Sequence, residues 1–333
     1  MPLVSIAVAS YNHGKFIGAL IQSVLDQTFS DFELIICDDR STDNSRVVIE
    51  SFQDIRIKKC FNDKNLGVVA NINKAISLTR GKYVVVIGSD DLMFPDNLKR
   101  KVEVLEKNPH VGLIYSDFVD IDEEGNSTGR RRARNPSHDA VYAKEDFFVR
   151  LMEESNFIAS PSVVVRKECY SRLGLYDERL RAAQDYEMWL RISLHYDCAY
   201  LSDSLVQYRW HSTNVTHDYL NENRQAGSAQ ESLCKEIAME SYHAFKKDFL
   251  SNVSLAKIYE DIGRFYLWSN DTQKARGYLW KALACRFFHP VLWKLFFMSL
   301  LSKNTLVSSK KLKGKKAVNN IGKIFSNCFT RAK

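Results

Sequence analysis

Two adjacent carboxylates, Asp90 and Asp91, follow the apolar run Tyr83-Val84-Val85-Val86-Ile87 with only Gly88 and Ser89 between. The run is rich in β-branched residues and reads as a buried strand. Side by side at the end of such a strand, two carboxylates repel one another, and a divalent cation would relieve that repulsion. Much further along, Asp185 lies in Gln184-Asp185-Tyr186-Glu187-Met188-Trp189-Leu190-Arg191, an amphipathic helix by its pattern. A carboxylate suits a helix N-terminus, and it could also take a proton from a substrate hydroxyl. A pair suited to a metal and a lone base together suggest an enzyme acting on a phosphorylated substrate.

The elements that must position these groups are legible upstream. Val4-Ser5-Ile6-Ala7-Val8-Ala9 is a strand that ends in the polar turn Ser10-Tyr11-Asn12-His13-Gly14, before a helical pattern from Phe16 to Leu25. Phe32-Glu33-Leu34-Ile35-Ile36-Cys37 is a second strand, ending in Asp38-Asp39-Arg40-Ser41-Thr42-Asp43, and Arg56 to Phe61 is a shorter third. Asn65-Leu66-Gly67 then precedes a helix from Val69 to Leu78. Strand alternating with helix predicts a parallel sheet covered on both faces. In such sheets ligands bind outside the carboxyl ends of the strands. Ala9-Ser10-Tyr11, Asp38-Asp39 and Ser89-Asp90-Asp91 all fall at such ends.

The order of these pieces, closed by Gln-Asp-Tyr-Glu-x-Trp-Leu-Arg, resembles a family 2 glycosyltransferase, of the kind that builds bacterial surface polysaccharides such as O-antigen and capsule. The resemblance implies a GT-A fold: a Rossmann-like α/β domain with a mostly parallel central sheet flanked by helices. It implies inverting transfer, assisted by Mn²⁺ or Mg²⁺, from a nucleotide-sugar, a UDP-sugar first, to a hydroxyl of a lipid-diphosphate-linked saccharide. By the same resemblance Ala9 and Tyr11 line the nucleobase pocket, and Asp39 or Asp38 accepts a hydrogen bond from the base. Asn65 and Gly67 shape the nucleotide site, Asp90 and Asp91 handle ribose and metal with Asp91 as the direct ligand, and Asp185 is the general base. Asp91 is expected to face solvent. His211, in Tyr208-Arg209-Trp210-His211 at the end of a late strand, is a further candidate for the diphosphate or the metal, with a surface histidine as the alternative.

Three positions depart from the family pattern. Gly88 stands where the first Asp of Asp-x-Asp-Asp is common, Gln184 where Glu precedes the base, and Ile72 where many members carry Arg before the Asn matched by Asn73. Ordinary readings compete at several sites. Asp38-Asp39 suits a simple turn, Asp185 a helix N-terminal charge with Trp189 in the core, and Arg166, after Ser162-Val163-Val164-Val165, a strand-end charge. A catalytically silent nucleotide-sugar-binding or scaffolding relative remains the alternative function, with a nucleotidyltransferase behind it. Retention of both Asp91 and Asp185 favours the enzyme.

Composition agrees with a soluble globular chain: 333 residues, 45% hydrophobic and 26% charged. Seven cysteines without Cys-x-x-Cys spacing suggest reduced thiols in a cytoplasmic protein. The first residues enter a strand at once, which leaves no room for a signal peptide, and the apolar run from Val291 to Leu301 is broken by Lys294 and too short to span a bilayer. The expected organisation is a catalytic domain over 1–225, with a nucleotide-sugar half (1–115) and an acceptor and base half (116–225). A helical hairpin extension (226–302) and a basic amphipathic or disordered tail (303–333) follow. In the extension Ile262, Gly263, Tyr266, Ala275, Leu279 and Ala282 fall at the spacing of one tetratricopeptide-like unit, too few for a solenoid. Arg130, Arg131, Arg132 and Arg134 form an exposed cluster that reads either as a solvated run or as a contact for lipid diphosphate. The lysines of the tail suit an anionic leaflet, so the expected location is cytoplasmic and peripheral at the inner face of the plasma membrane. Most of the net charge of +7 sits in that tail, so the globular part is not expected to bind nucleic acid.

Overall fold

The structure is a computed structural model, and it describes residues 1–128, 135–180, 183–212, 214, 224–244, 250–269 and 271–300. Among these, nine strands form one sheet: β1 (Val4–Ser10), β2 (Phe32–Asp38), β3 (Ile57–Phe61), β4 (Tyr83–Gly88), β5 (Leu92–Met93), β6 (Val111–Ile121), β7 (Ala140–Tyr142), β8 (Val164–Arg166) and β9 (Asp197–Arg209). Their order is β3-β2-β1-β4-β8-β6-β9-β5, with β7 paired to β9. The first four are mutually parallel. β8 runs antiparallel to both β4 and β6, and β6 is parallel to β9. The carboxyl ends of β1, β2, β4, β6 and β9 therefore meet at one edge.

Alternation along the strands explains the core. Val4, Ile6 and Val8 of β1, Leu34 and Ile36 of β2, and Tyr83, Val85 and Ile87 of β4 share a face with Ile17, Leu20, Ile21 and Val24 of helix α1 (Ile17–Leu25). Two-residue spacing on a strand and three-to-four-residue spacing on a helix bring these stripes together. The opposite residues, among them Ala7, Ile35 and Val84, are buried as well, so both faces of the sheet are covered. Arg166 ends β8, as expected of a strand-end charge. It is buried, and its guanidinium donates to the carbonyls of Val111, Leu105 and Asn108, which satisfies it without a carboxylate.

Helices α2 (Ser45–Ser51), α3 (Val68–Ser77), α4 (Asn97–Lys107), α5 (Lys144–Glu154), α6 (Lys167–Leu173) and α7 (Gln184–Ser193) complete the expected domain. Helix α8 (Arg224–Ala244) belongs to the same compact unit, which extends to Phe249. The sequence reading placed this helix in the extension. Its stripe Cys234, Ala238, Met239 and Tyr242 is buried, with Tyr242 stacked on Phe148 and the Cys234 thiol donating to the Ala183 carbonyl.

A second compact unit begins at Leu250. It contains α9 (Asn252–Trp268), capped by Ser251, α10 (Thr272–Cys285), capped by Asp271, and α11 (Pro290–Ser299). Ile262, Gly263, Tyr266, Ala275, Leu279 and Ala282 form the buried seam between α9 and α10. A Cβ at Gly263 would lie 2.8 Å from Leu279 Cγ, so the close approach depends on glycine. No helix among the described residues is long and apolar enough to cross a membrane. Arg130 to Arg132, Arg134 and the tail from 303 lie outside the described residues.

Candidate functional site

The group with the most chemistry sits where β1, β4 and β9 end. Asp90 follows β4, and its Oδ2 accepts from His211 Nε2 at 2.9 Å and from Asn214 Nδ2 at 3.1 Å. His13, in the turn after β1, faces the same place, and its Nδ1 is 2.6 Å from Ser89 Oγ. One ligand atom each from His13, Asp90 and His211 lies within 4.8 Å of the other two. His211 is buried against Phe16, with ring centroids 4.7 Å apart, and is not a surface histidine. Burial pushes the Asp90 carboxyl up, but the His211 hydrogen bond and the charges of both imidazoles overcome it and hold the group below its ordinary range. Burial lowers His13, against the opposing pull of Asp90.

Asp91 does not face solvent as expected. It is 4% exposed, and its Oδ1 accepts the Arg209 backbone N–H at 3.0 Å. Burial, and then the charge of Asp90, raise its carboxyl well above the ordinary range. Two features of the chain cause this. β5 starts at Leu92 and pairs antiparallel with β9, Leu92 opposite Gln207, so Asp91 is drawn under the end of that strand. Gly88 leaves room above its Cα, and both carboxylates occupy it: a Cβ there would lie 2.5 Å from Asp90 Oδ1 and 3.0 Å from Asp91 Oδ2. Gly88 and the folded-back carboxylates therefore go together. Arg209 fixes the arrangement, its Nε donating to the Asp90 carbonyl at 2.7 Å and its Nη1 to the carbonyls of Asp122 and Glu123.

These donors fit a divalent cation. Asp90 Oδ2 and His211 Nε2 lie 2.9 Å apart, and both would be available to hold such an ion once the hydrogen bond between them is given up. Ser89 can accept the Nδ1 proton of His13 and leave Nε2 bare for a metal.

A second group lies at the ends of β1 and β2. Tyr11 is 46% exposed, which leaves its ring open to stacking, and Ala9 stands between Cys37 of β2 and Gly88 of β4. The turn is locked to the next one: Asn12 N–H donates to Ser41 Oγ, and Thr42 N–H to Asn12 Oδ1. Asp38 is turned inward and holds Ser41 through its backbone N–H and hydroxyl. Asp39 holds the segment before α3: Oδ1 accepts from Asn62 Nδ2 and Leu66 N–H, both at 2.8 Å, and Oδ2 accepts Gly67 N–H at 2.9 Å. A carboxylate offers about four acceptor positions, so Asp39 keeps one beside these three. Gly67, at φ 87°, takes a conformation that favours glycine, and Asn65 Oδ1 accepts its N–H as well.

Asp185 sits in the first turn of α7, and among the described residues no hydrogen bond links it to either group. Its Oδ1 accepts Tyr186 N–H at 2.7 Å and its Oδ2 accepts Asn156 Nδ2 at 3.3 Å. Burial raises its carboxyl to about 6, only partly offset by these two donors. The rest of the helix motif is scaffold. Trp189 is in the core, and Glu187 pairs with Arg191, whose guanidinium also donates to the carbonyls of Leu173 and Leu175. Asn73 reaches this region from α3, its amide clamping both backbone groups of Tyr176. Sequence reading missed His13, Asn156, Arg209 and Asn214. Of these, His13 alone carried a local signal, as a histidine in the turn beside Tyr11.

A family model described as glycosyl transferase family 2 matches residues 5–173, just over half of the chain. The chain belongs to glycosyl transferase family 2. This glycosyltransferase is 29% identical over 263 residues to an uncharacterized glycosyltransferase of Methanocaldococcus jannaschii, covering 78% of this chain and 85% of the relative. Its fold is similar to that of residues 1–349 of TarS from S. aureus, at a TM-score of 0.62 with 17% identity, over 93% of this chain and 92% of that one. TarS has also been solved with UDP and with UDP-GlcNAc. A mannosyltransferase from Pyrobaculum calidifontis, solved with GDP-Man and Mn²⁺, matches at a TM-score of 0.52 with 15% identity, over 94% of this chain and 88% of that one. Both likenesses concern the fold, which is GT-A.

Proposed function

We propose that this glycosyltransferase is an inverting, metal-dependent enzyme that moves a sugar from a nucleoside-diphosphate sugar to a hydroxyl of a saccharide acceptor. The observation that carries the reading is the His13–Asp90–His211 group at the strand ends, beside the turns held by Asp38 and Asp39. Ala9 and Tyr11 take the nucleobase, and Asp39, with its one remaining acceptor position, meets the base from the turn it organises. Asn65 and Gly67 shape the same side. Asp90 and His211, with His13 beside them, would hold the divalent cation, and Asp91, buried under Arg209, supports Asp90. A cation held there would supply positive charge to the leaving diphosphate.

Asp185 acts on the acceptor. A carboxyl with its pKa near 6 is mostly ionised at neutral pH, yet basic enough to draw the proton from a hydroxyl as that oxygen attacks the anomeric carbon. Attack opposite the leaving diphosphate forms one C–O bond, breaks the other and inverts the configuration. UDP-sugars are the first donors to test, since TarS accommodates UDP-GlcNAc on this fold. A lipid-diphosphate-linked acceptor in cell-surface polysaccharide synthesis, met at the cytoplasmic face of the membrane, suits the arginine cluster and the lysine-rich tail of the sequence.

A thermal-shift panel of UDP-, GDP- and other nucleotide-sugars tests the donor. A ligand at about a hundred times its Kd stabilises the native state by about 2.7 kcal/mol. The expected result is a metal-dependent rise in Tm with one nucleotide class. No rise with any nucleotide-sugar, with or without Mn²⁺, would overturn the reading.

A further inference from the structure

The second unit carries a surface that transfer chemistry does not use. Between α10 and α11, Phe288 is 95% exposed and Phe287 53%, and Trp280, Val291, Phe297 and Leu300 are also exposed. The rings form one patch, joined through Trp293 and Phe296. Phe287 packs edge-on against Phe288 and Trp293, Trp293 against Phe297, and Trp280 against Phe296. The turn that presents them is held in place: Trp293 Nε1 donates to the Phe287 carbonyl at 2.7 Å, His289 N–H to the Arg286 carbonyl, and Pro290 opens α11. Two phenylalanines at the tip of a braced turn leave much apolar area in water, more than scattered surface residues do.

The charge around the patch selects its partner. From Thr272 to Lys333 the sequence has 14 Lys and Arg and not one Asp or Glu. Within the described part Arg286 and Lys294 are exposed and adjoin the rings in sequence, while Lys281, also exposed, lies over the rings of Tyr259 and Tyr278. Rings that prefer the boundary between water and hydrocarbon, on a segment of unmixed positive charge, match an anionic lipid surface. A second copy of this chain would set the same positive charges against one another. We infer that the turn bearing Phe287 and Phe288 is a wedge that enters the headgroup region of an anionic bilayer, with Arg286 and Lys294 beside it on the lipid phosphates. The wedge stands on this unit alone, independent of the catalytic reading.

The test uses the full chain and vesicles of equal phosphatidylcholine and phosphatidylglycerol at physiological salt, where the exposed charges alone are screened. Phe287→Ser/Phe288→Ser is compared with wild type and with Val253→Ser, an exposed apolar residue elsewhere on the unit. Since both phenylalanines are exposed, the double variant should keep its Tm. Its vesicle affinity should fall about tenfold or more, and Val253→Ser should bind like wild type. Brominated lipid should quench wild-type tryptophan fluorescence and spare the double variant. Equal vesicle binding by the double variant overturns the wedge. So does loss of self-association, or of binding to a single-stranded RNA, with vesicle binding unchanged. Nucleotide-sugar hydrolysis in solution should be the same in all three proteins. Its absence throughout would count against the proposed catalysis and leave the vesicle result standing.

Discussion

Replacing Asp185 by Asn should make the protein more stable and nearly inactive at the same time. The carboxyl is raised from 3.8 to about 6, by burial first. A folded pKa above the unfolded one means that the native state holds its proton more tightly. Between pH 3.8 and about 6 the native state therefore binds more protons than the unfolded one, and this group's contribution to stability falls as pH rises. Above pH 6 the full penalty is present. A shift of about two units corresponds to about 3 kcal/mol, and the side chain's residual exposure reduces that to about 1–3 kcal/mol. Asparagine carries no charge to desolvate and can still accept Tyr186 N–H. Urea unfolding at pH 7.5 should thus show Asp185→Asn more stable by about 1–3 kcal/mol, with the difference shrinking towards zero near pH 3. Turnover should fall by about 10²–10⁴-fold with donor affinity unchanged. In the wild type, kcat should climb through about pH 6, so that its value at pH 5 is about a tenth of that at pH 7. A variant less stable than wild type at pH 7.5 refutes the burial argument, and an unchanged kcat refutes the base.

Three further outcomes follow from the same geometry. Gly88→Ala should weaken Mn²⁺ binding, read by electron paramagnetic resonance, by about tenfold or more, because its Cβ would lie 2.5 Å from Asp90 Oδ1 and push that carboxylate off His211. Asp90→Asn should lose Mn²⁺ binding, whereas Asp91→Asn should retain it and fold normally, since an amide oxygen still accepts Arg209 N–H; the reverse pattern in the same titration restores Asp91 as the direct ligand. Asp39→Ala strips Leu66 N–H, Gly67 N–H and Asn62 of their shared acceptor, and should cost about 1–3 kcal/mol in urea unfolding and raise KM for the donor more than it lowers kcat.

The strands and their ends were legible because burial writes itself into β-branched runs, and the turn residues after Ala9, Cys37 and Ile87 mark the carboxyl edge. Which of two neighbouring carboxylates turns inward was not legible. Strand alternation stops at Gly88, and the donor that captures Asp91 is the Arg209 N–H, on a strand far along the chain. His13 could be read as a turn residue, but its role depends on Ser89 and Asp90 coming to meet it. That α8 packs into the first unit was not legible for a similar reason. The buried stripe Cys234, Ala238, Met239 and Tyr242 is visible in α8, while its partners Phe148 and Ala183 are set by tertiary packing. Asn156, in a loop of ordinary composition, becomes notable only through its bond to Asp185.

In the function proposed, the Asp90 group makes this chain a metal-dependent nucleotide-sugar transferase. Release of nucleoside diphosphate from a panel of nucleotide-sugars, followed with Mn²⁺ and again with EDTA for wild type and Asp90→Asn, tests it most directly. Release should occur with one nucleotide class, depend on metal and be lost in Asp90→Asn. Release that survives both EDTA and Asp90→Asn would contradict it.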